Sequence, residues 1–181
     1  MISNAFVPMP EGNTLDQLKL NSEILQQLSQ IVAADKGERP LTVAAVTTKR
    51  IKPGKGVLFY GPAGTGKSLA AAAIGKEMGC VVYRVNLSAV VSKYIGETEK
   101  NLNRLFKKAA DKNALLFFDE ADALFGKRSE VKDAHDRYAN PEVSYLLQLI
   151  EDHEGLVILA AKTKANIDNA FLRRLRYVVK F

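Results

Sequence analysis

The sequence is poor in the residues that build covalent or metal cross-links: one cysteine, Cys80, and two histidines, His135 and His153, in 181 residues. A lone cysteine has no partner for an intrachain disulfide, so a disulfide scaffold is excluded and a reducing compartment is expected. Neither histidine falls in a metal-ligand spacing, and both sit among charged neighbours, where surface positions are expected. Long apolar runs are also missing. None reaches the length of a membrane span, and the first residues lack the basic-then-apolar order of a secretion signal. The expected location is therefore the cytoplasm, with no membrane partner. Blocks of one charge are absent as well. The net charge of +6 comes from lysines and arginines scattered over several segments, which argues against a nucleic-acid partner.

What is present is an ordinary globular composition, 47% hydrophobic and 25% charged, in a chain long enough to bury about 70% of its unfolded surface. Residues 1–20 carry Pro8 and Pro10 followed by Glu11-Gly12-Asn13, and read as an irregular arm with little core content. Residues 21–181 read as one domain. Ile24, Leu25, Leu28, Ile31 and Val32 recur at helical spacing, predicting a helix from about Ser22 to Asp35 with Asn21 or Ser22 as N-cap. A loop-like stretch follows, with a short apolar piece from Leu41 to Val46 and a basic end, Lys49 to Lys55. Beyond it, strands are expected at Val57–Tyr60, Val81–Leu87, Leu115–Asp119, Leu156–Ala161 and Tyr177–Phe181. The helical segments between them are Leu69–Met78, Ser88–Lys93, Thr98–Asp111, Pro141 to about Asp152 with Asn140 as cap, and Ile167–Arg174. Five strands alternating with helices predict an α/β fold, a parallel sheet covered on both faces.

The stretch around which this pattern is organised is Gly61-Pro62-Ala63-Gly64-Thr65-Gly66-Lys67-Ser68. It fits G-x-x-x-x-G-K-[ST] at every fixed position and stands between an apolar strand and an alanine-rich helix. A glycine-rich turn opening a helix leaves backbone N–H groups pointing one way, which suits a chain of phosphate oxygens. Lys67 supplies a point charge for the outer phosphates, and the Ser68 hydroxyl one ligand for magnesium. The residues expected to hold ATP or ADP are Pro62, Ala63, Gly64, Thr65, Gly66, Lys67, Ser68 and Leu69.

A second motif, Leu115-Leu116-Phe117-Phe118-Asp119-Glu120, is a buried strand ending in two carboxylates. On a strand beside that of the phosphate loop, Asp119 would stand opposite the phosphates and hold magnesium. Glu120 would orient or deprotonate the attacking water.

These motifs, with the run from Asp119 to Ser129, resemble the nucleotide-binding core of the AAA (AAA+) ATPase family over about Leu15 to Phe181. The resemblance implies a P-loop NTPase sheet in the order 5-1-4-3-2, counting from the phosphate-loop strand. It also implies a homo-oligomeric ring with nucleotide between subunits, acting in protein remodelling or unfolding. Lys93-Tyr94-Ile95-Gly96 resembles the loop that lines the pore of such rings and grips polypeptide; packing of Tyr94 under the next helix is the alternative. Arg173 and Arg174 correspond to arginines that reach a neighbour's γ-phosphate, or else form a basic helix end set against its own dipole. The charged loop from Gly126 to Tyr138 is either a second pore loop or a solvated one.

Two departures from the family pattern matter. The sequence ends at Phe181, where the family continues into a small helical lid, so an isolated chain of this length is expected to be mainly monomeric. Where the family has an asparagine that helps the glutamate position water, counting back from Asp168 reaches Lys162. A lysine there predicts intact binding with slow hydrolysis, the alternative being a nucleotide-binding module or engineered scaffold without turnover. A shifted register would give the asparagine's task to Thr163 or Asn166.

Overall fold

The computed structural model describes residues 6–35, 55–90, 96–125, 141–165 and 167–181. Its centre is a six-stranded sheet. The strands are β1 (Phe6–Pro8), β2 (Gly56–Tyr60), β3 (Val82–Asn86), β4 (Leu115–Asp119), β5 (Val157–Ala161) and β6 (Tyr177–Lys180), and they lie in the order β1-β3-β4-β5-β2-β6. From β6 to β3 the strands run parallel, which is the expected 5-1-4-3-2 arrangement. The helices are α1 (Ser22–Asp35), α2 (Lys67–Met78), α3 (Leu87–Val90), α4 (Glu97–Asp111), α5 (Asp122–Phe125), α6 (Pro141–Asp152) and α7 (Asn169–Leu172).

The central strands are apolar at successive positions because both of their faces are covered. Leu115 and Phe117 of β4 join Val57 and Phe59 of β2 in a core shared with α1 and α2. Their alternates Leu116, Phe118 and Leu58 face the other way, into a core with α4 and α6. Leu102, Leu105, Phe106 and Ala109 form the buried stripe of α4, at the i, i+3, i+4, i+7 spacing of an amphipathic helix. Asn21 proves to be the cap of α1, its side chain accepting from the Glu23 N–H at 3.1 Å. The expected cap of α6, Asn140, the apolar piece 41–46 and the loop 126–138 lie outside the described residues.

The described part of the N-terminal arm, residues 6–20, is irregular only outside a short strand at Phe6–Pro8 and a single helical turn at Leu15–Gln17, and its core content is not small. β1 adds to the sheet antiparallel to β3, with Phe6 opposite Val85 and Pro8 opposite Tyr83. Phe6 is buried and stacks on Tyr83 at 4.1 Å between ring centroids. Lys108 of α4 and Lys112, the cap at its C-terminal end, lie over these two rings at 4.6 and 5.7 Å, each a cation–π contact. Leu15 and Leu18 are buried on the other side of the sheet. Between them Gly12 runs so close to α2 that a Cβ there would stand 2.6 Å from the Ala72 carbonyl carbon. Prolines suggested a loop, but proline is compatible with an edge strand, and three residues are too short for a periodic signal. The helix expected over 167–174 is shorter, Asn169–Leu172, because Asp168 caps it by accepting from the Ala170 N–H at 2.7 Å.

His153 is half-buried rather than fully on the surface. Its ring meets Phe106 edge-on at 5.3 Å, and its Nε2 is buried without a hydrogen-bond partner among the described residues. Burial lowers its pKa below the ordinary histidine value of 6.5, Lys55 lowers it further, and Glu154 opposes them. The unfolded chain therefore takes up this proton at higher pH than the folded one. The contribution to stability is full above about pH 6.5 and is lost as pH falls through the window below it. Melting temperatures from pH 7.5 to 5 should fall more steeply for the natural chain than for His153→Leu; parallel curves would count against this account.

Candidate functional site

The expected nucleotide loop leaves the end of β2, where the Gly61 N–H donates to the Ala161 carbonyl of β5 at 3.1 Å. It turns into α2 at Gly66, whose φ of +97° lies in the left-handed region that only glycine enters freely. Within the loop the Thr65 hydroxyl donates to the Pro62 carbonyl at 2.9 Å. The Lys67 ammonium donates to the carbonyls of Gly61 and Pro62 at 2.7 and 2.6 Å, and lies 3.3 Å from the Thr65 hydroxyl. Burial pulls the Lys67 pKa below the ordinary lysine value, with Asp119 and Asp122 pulling it back up. Its charge thus sits in a shielded place that already senses the carboxylates across the loop.

A cavity of about 350 Å³ opens over this loop. One wall is Ala63, Gly64, Gly66, Lys67, Ser68 and Leu69; the other is Asp119, Glu120, Asp122 and Lys162, from the ends of β4 and β5. Leu69 is 61% exposed. Pro62 and Thr65 do not line the cavity; they brace its floor through the hydrogen bonds to Lys67 and to each other. The sheet explains the meeting of the two walls. The carboxylate strand β4 does not lie beside β2 as expected, since β5 stands between them; because all three are parallel and deliver their C-terminal ends to one edge, their loops still open onto the same crevice.

Glu120 occupies this edge with φ +54°, one of two non-glycine residues at positive φ among those described, the other being Asn113. Asparagine tolerates that region, whereas for glutamate it costs about 1–2 kcal/mol. Ala121 fixes the turn by donating its N–H to the Ala160 carbonyl at 2.8 Å. The Lys162 backbone N–H donates to Asp122 Oδ2 at 2.8 Å, and its side chain makes no ion pair with Asp119 or Glu120 among the described residues. Asp122 is a site residue that sequence reasoning missed; its only signal was its place two residues after Glu120. Arg84 was missed too. It reaches across from β3 and pairs with Asp119, a contact between strands that no local pattern announces.

Ser68 and Asp119 bring a hydroxyl and a carboxylate to the same cavity. Oxygen donors in this small number suit magnesium, which keeps most of its waters when it binds beside phosphates. No cluster of three or more His, Cys, Asp or Glu suited to a metal occurs among the described residues. The loop, the helix N-terminus and the shielded lysine equally suit a phosphate chain.

Arg173 and Arg174 are both exposed and do not line the cavity. Arg174 is tied to Glu151 of α6 by Nε–Oε1 at 2.7 Å and Nη2–Oε2 at 2.9 Å. Arg173 forms no ion pair among the described residues. Lys93, Tyr94 and Ile95 lie outside the described residues, while Gly96, at φ +78°, is the N-cap of α4. Among the described residues no helix is long and apolar enough to cross a membrane.

Comparison with a solved structure, that of the FIGL-1 AAA domain, covers 99% of this chain at a TM-score of 0.69 and 24% identity. That likeness is one of fold, and the chain spans 59% of the length of its neighbour. The family model of the ATPase family associated with various cellular activities matches residues 57–181, from the phosphate-loop strand through both carboxylates to β6. The chain therefore belongs to the AAA family of ATPases.

Proposed function

We propose that this chain binds and hydrolyses ATP with magnesium, and that it does so as one subunit of a ring that remodels or unfolds protein. The observation that carries the first part is a single cavity walled by Lys67 and Ser68 on one side and Asp119 and Glu120 on the other. The α2 N-terminus and the loop amides bind the phosphate chain, and Lys67 exchanges its loop carbonyls for outer-phosphate oxygens. Ser68 and Asp119 are the residues that would hold magnesium, which would supply positive charge to neutralise the phosphates. Glu120 accepts the proton of the water that attacks the terminal phosphorus. Its backbone supports this role, because a strained conformation at a site of chemistry has a use that folding does not explain.

The ring reading rests on family membership and on the two arginines. Arg174 has an intramolecular partner, which leaves Arg173 as the better candidate to reach a neighbour's nucleotide. The segment 93–96 is proposed to grip an extended polypeptide, since an aromatic side chain contacts substrate with little regard to sequence. A nucleotide-binding module with little turnover is the second reading, favoured by Lys162 at the cavity wall, where an ammonium offers donors but no acceptor to a water.

One experiment separates these readings. ATP turnover per subunit is measured against protein concentration for the natural chain and Arg173→Ala, with unfolded protein or DNA added. Turnover that rises with concentration, loses that rise in Arg173→Ala and is stimulated by unfolded protein is the expected result. Flat, negligible turnover at every concentration would favour the binding module.

A further inference from the structure

Asp119 and Glu120 are a wall shared by two cavities. Behind them, away from the phosphate loop, lies a second space of about 480 Å³, bounded by Val7–Pro10 of the arm and by Arg84 and Asn86 of β3. From this side the Arg84 guanidinium pairs with Asp119 Oδ2, while Asp119 Oδ1 accepts the Glu120 N–H at 3.0 Å. Both oxygens of the carboxylate assigned to magnesium are therefore engaged within the chain. The Arg84 side chain is 56% exposed and that of Asp119 20%, so the guanidinium borders open space into which it can turn. A pair this exposed adds little to stability, and its geometry calls for another account.

We propose that Arg84 is a positioning residue for Asp119: it holds the carboxylate against β3 and competes with the divalent cation for it, setting the magnesium concentration at which the nucleotide site fills. The inference rests on the reading of Asp119 as the magnesium carboxylate. When the cation and its waters claim Asp119, the guanidinium turns into the second cavity, which is large enough to receive it. When Arg84 holds Asp119, the carboxylate's charge is largely cancelled and the cation is held less well. The arm forms one side of that cavity, so its docking through Phe6 decides how freely the arginine moves.

The test is binding of a fluorescent ADP as magnesium chloride is raised from zero, for the natural chain, Arg84→Gln, Arg84→Lys and Asp119→Asn, each with its melting temperature. In Arg84→Gln the half-saturating magnesium concentration should fall about three- to fivefold, the reach of a partly exposed ion pair. Affinity in EDTA should be unchanged, and Arg84→Lys should return most of the requirement. Asp119→Asn should raise it. If Asp119→Asn raises the requirement but Arg84→Gln leaves it unchanged or higher, the inference about Arg84 fails alone. If Asp119→Asn changes nothing, the magnesium assignment fails and takes this inference with it. Should Arg84→Gln not fold, Arg84→Ala decides: a magnesium requirement equal to or above that of the natural chain overturns the proposal, and a fall of a few-fold supports it.

Discussion

Nucleotide affinity in Lys67→Ala should fall about 100-fold, equivalent to about 2.7 kcal/mol, while the melting temperature changes little. The size follows from what the ammonium does. It is partly buried and donates to loop carbonyls, contacts it can trade for the more strongly accepting oxygens of an anion at small cost in rearrangement. Hydrogen bonds to charged partners are worth about 1.5–3 kcal/mol each, and the loss of one or two gives the stated range. The fold should survive, because Lys67 opens α2 and its contacts all lie within the loop. Equilibrium titration with labelled ADP, with and without magnesium, makes the measurement. Unchanged affinity would remove Lys67 from the site, and with it the reading of the loop as a phosphate cradle.

Glu120→Gln should lower single-turnover hydrolysis by about 10²–10⁴-fold, the usual contribution of a positioned general base, and leave nucleotide affinity within a few-fold. Glutamine keeps the shape of the side chain and the same left-handed backbone, so a loss of rate is a loss of proton acceptance rather than of local structure. The substitution also weighs Lys162. If that ammonium already draws the carboxylate away from the water in the loaded site, the natural chain is slow and the variant is slow by nearly the same amount. Equal rates in the two would mean that Glu120 takes no proton as the site stands, and adding Lys162→Asn to both tells the causes apart: a rate gap that opens implicates Lys162, while rates that stay equal remove Glu120 from the reaction.

The parts legible in the sequence were those whose signal is continuous along the chain. β4 announces itself as four apolar residues before two acids, α4 as a helical stripe, and the phosphate loop as fixed residue types at fixed spacing. The sheet order came from family resemblance, since no periodicity tells a strand its neighbour. What was hidden depended on contacts between distant segments. β1 is three residues long and owes its place to the Phe6–Tyr83 stack and to Lys108 of α4, which lies over the Phe6 ring from 102 residues downstream. His153 looked solvated because its sequence neighbours are charged, yet its spatial neighbour is Phe106. Arg84 gave no local sign of a bond to Asp119, which lies 35 residues further on.

The helix that carries the phosphate loop has a property beyond its position. Ala70, Ala71, Ala72 and Ala73 follow one another along α2, all buried, with Gly12 of the arm against one side and the sheet against the other. Alanine has no side-chain rotamers to lose. The platform beneath the loop is thus almost empty of conformational entropy before any ligand arrives. Ordering by a bound phosphate chain then costs little there, and the binding free energy is not spent on freezing what lies underneath. Longer side chains in α2 would push the arm away and also give the platform freedom that each binding event would have to remove.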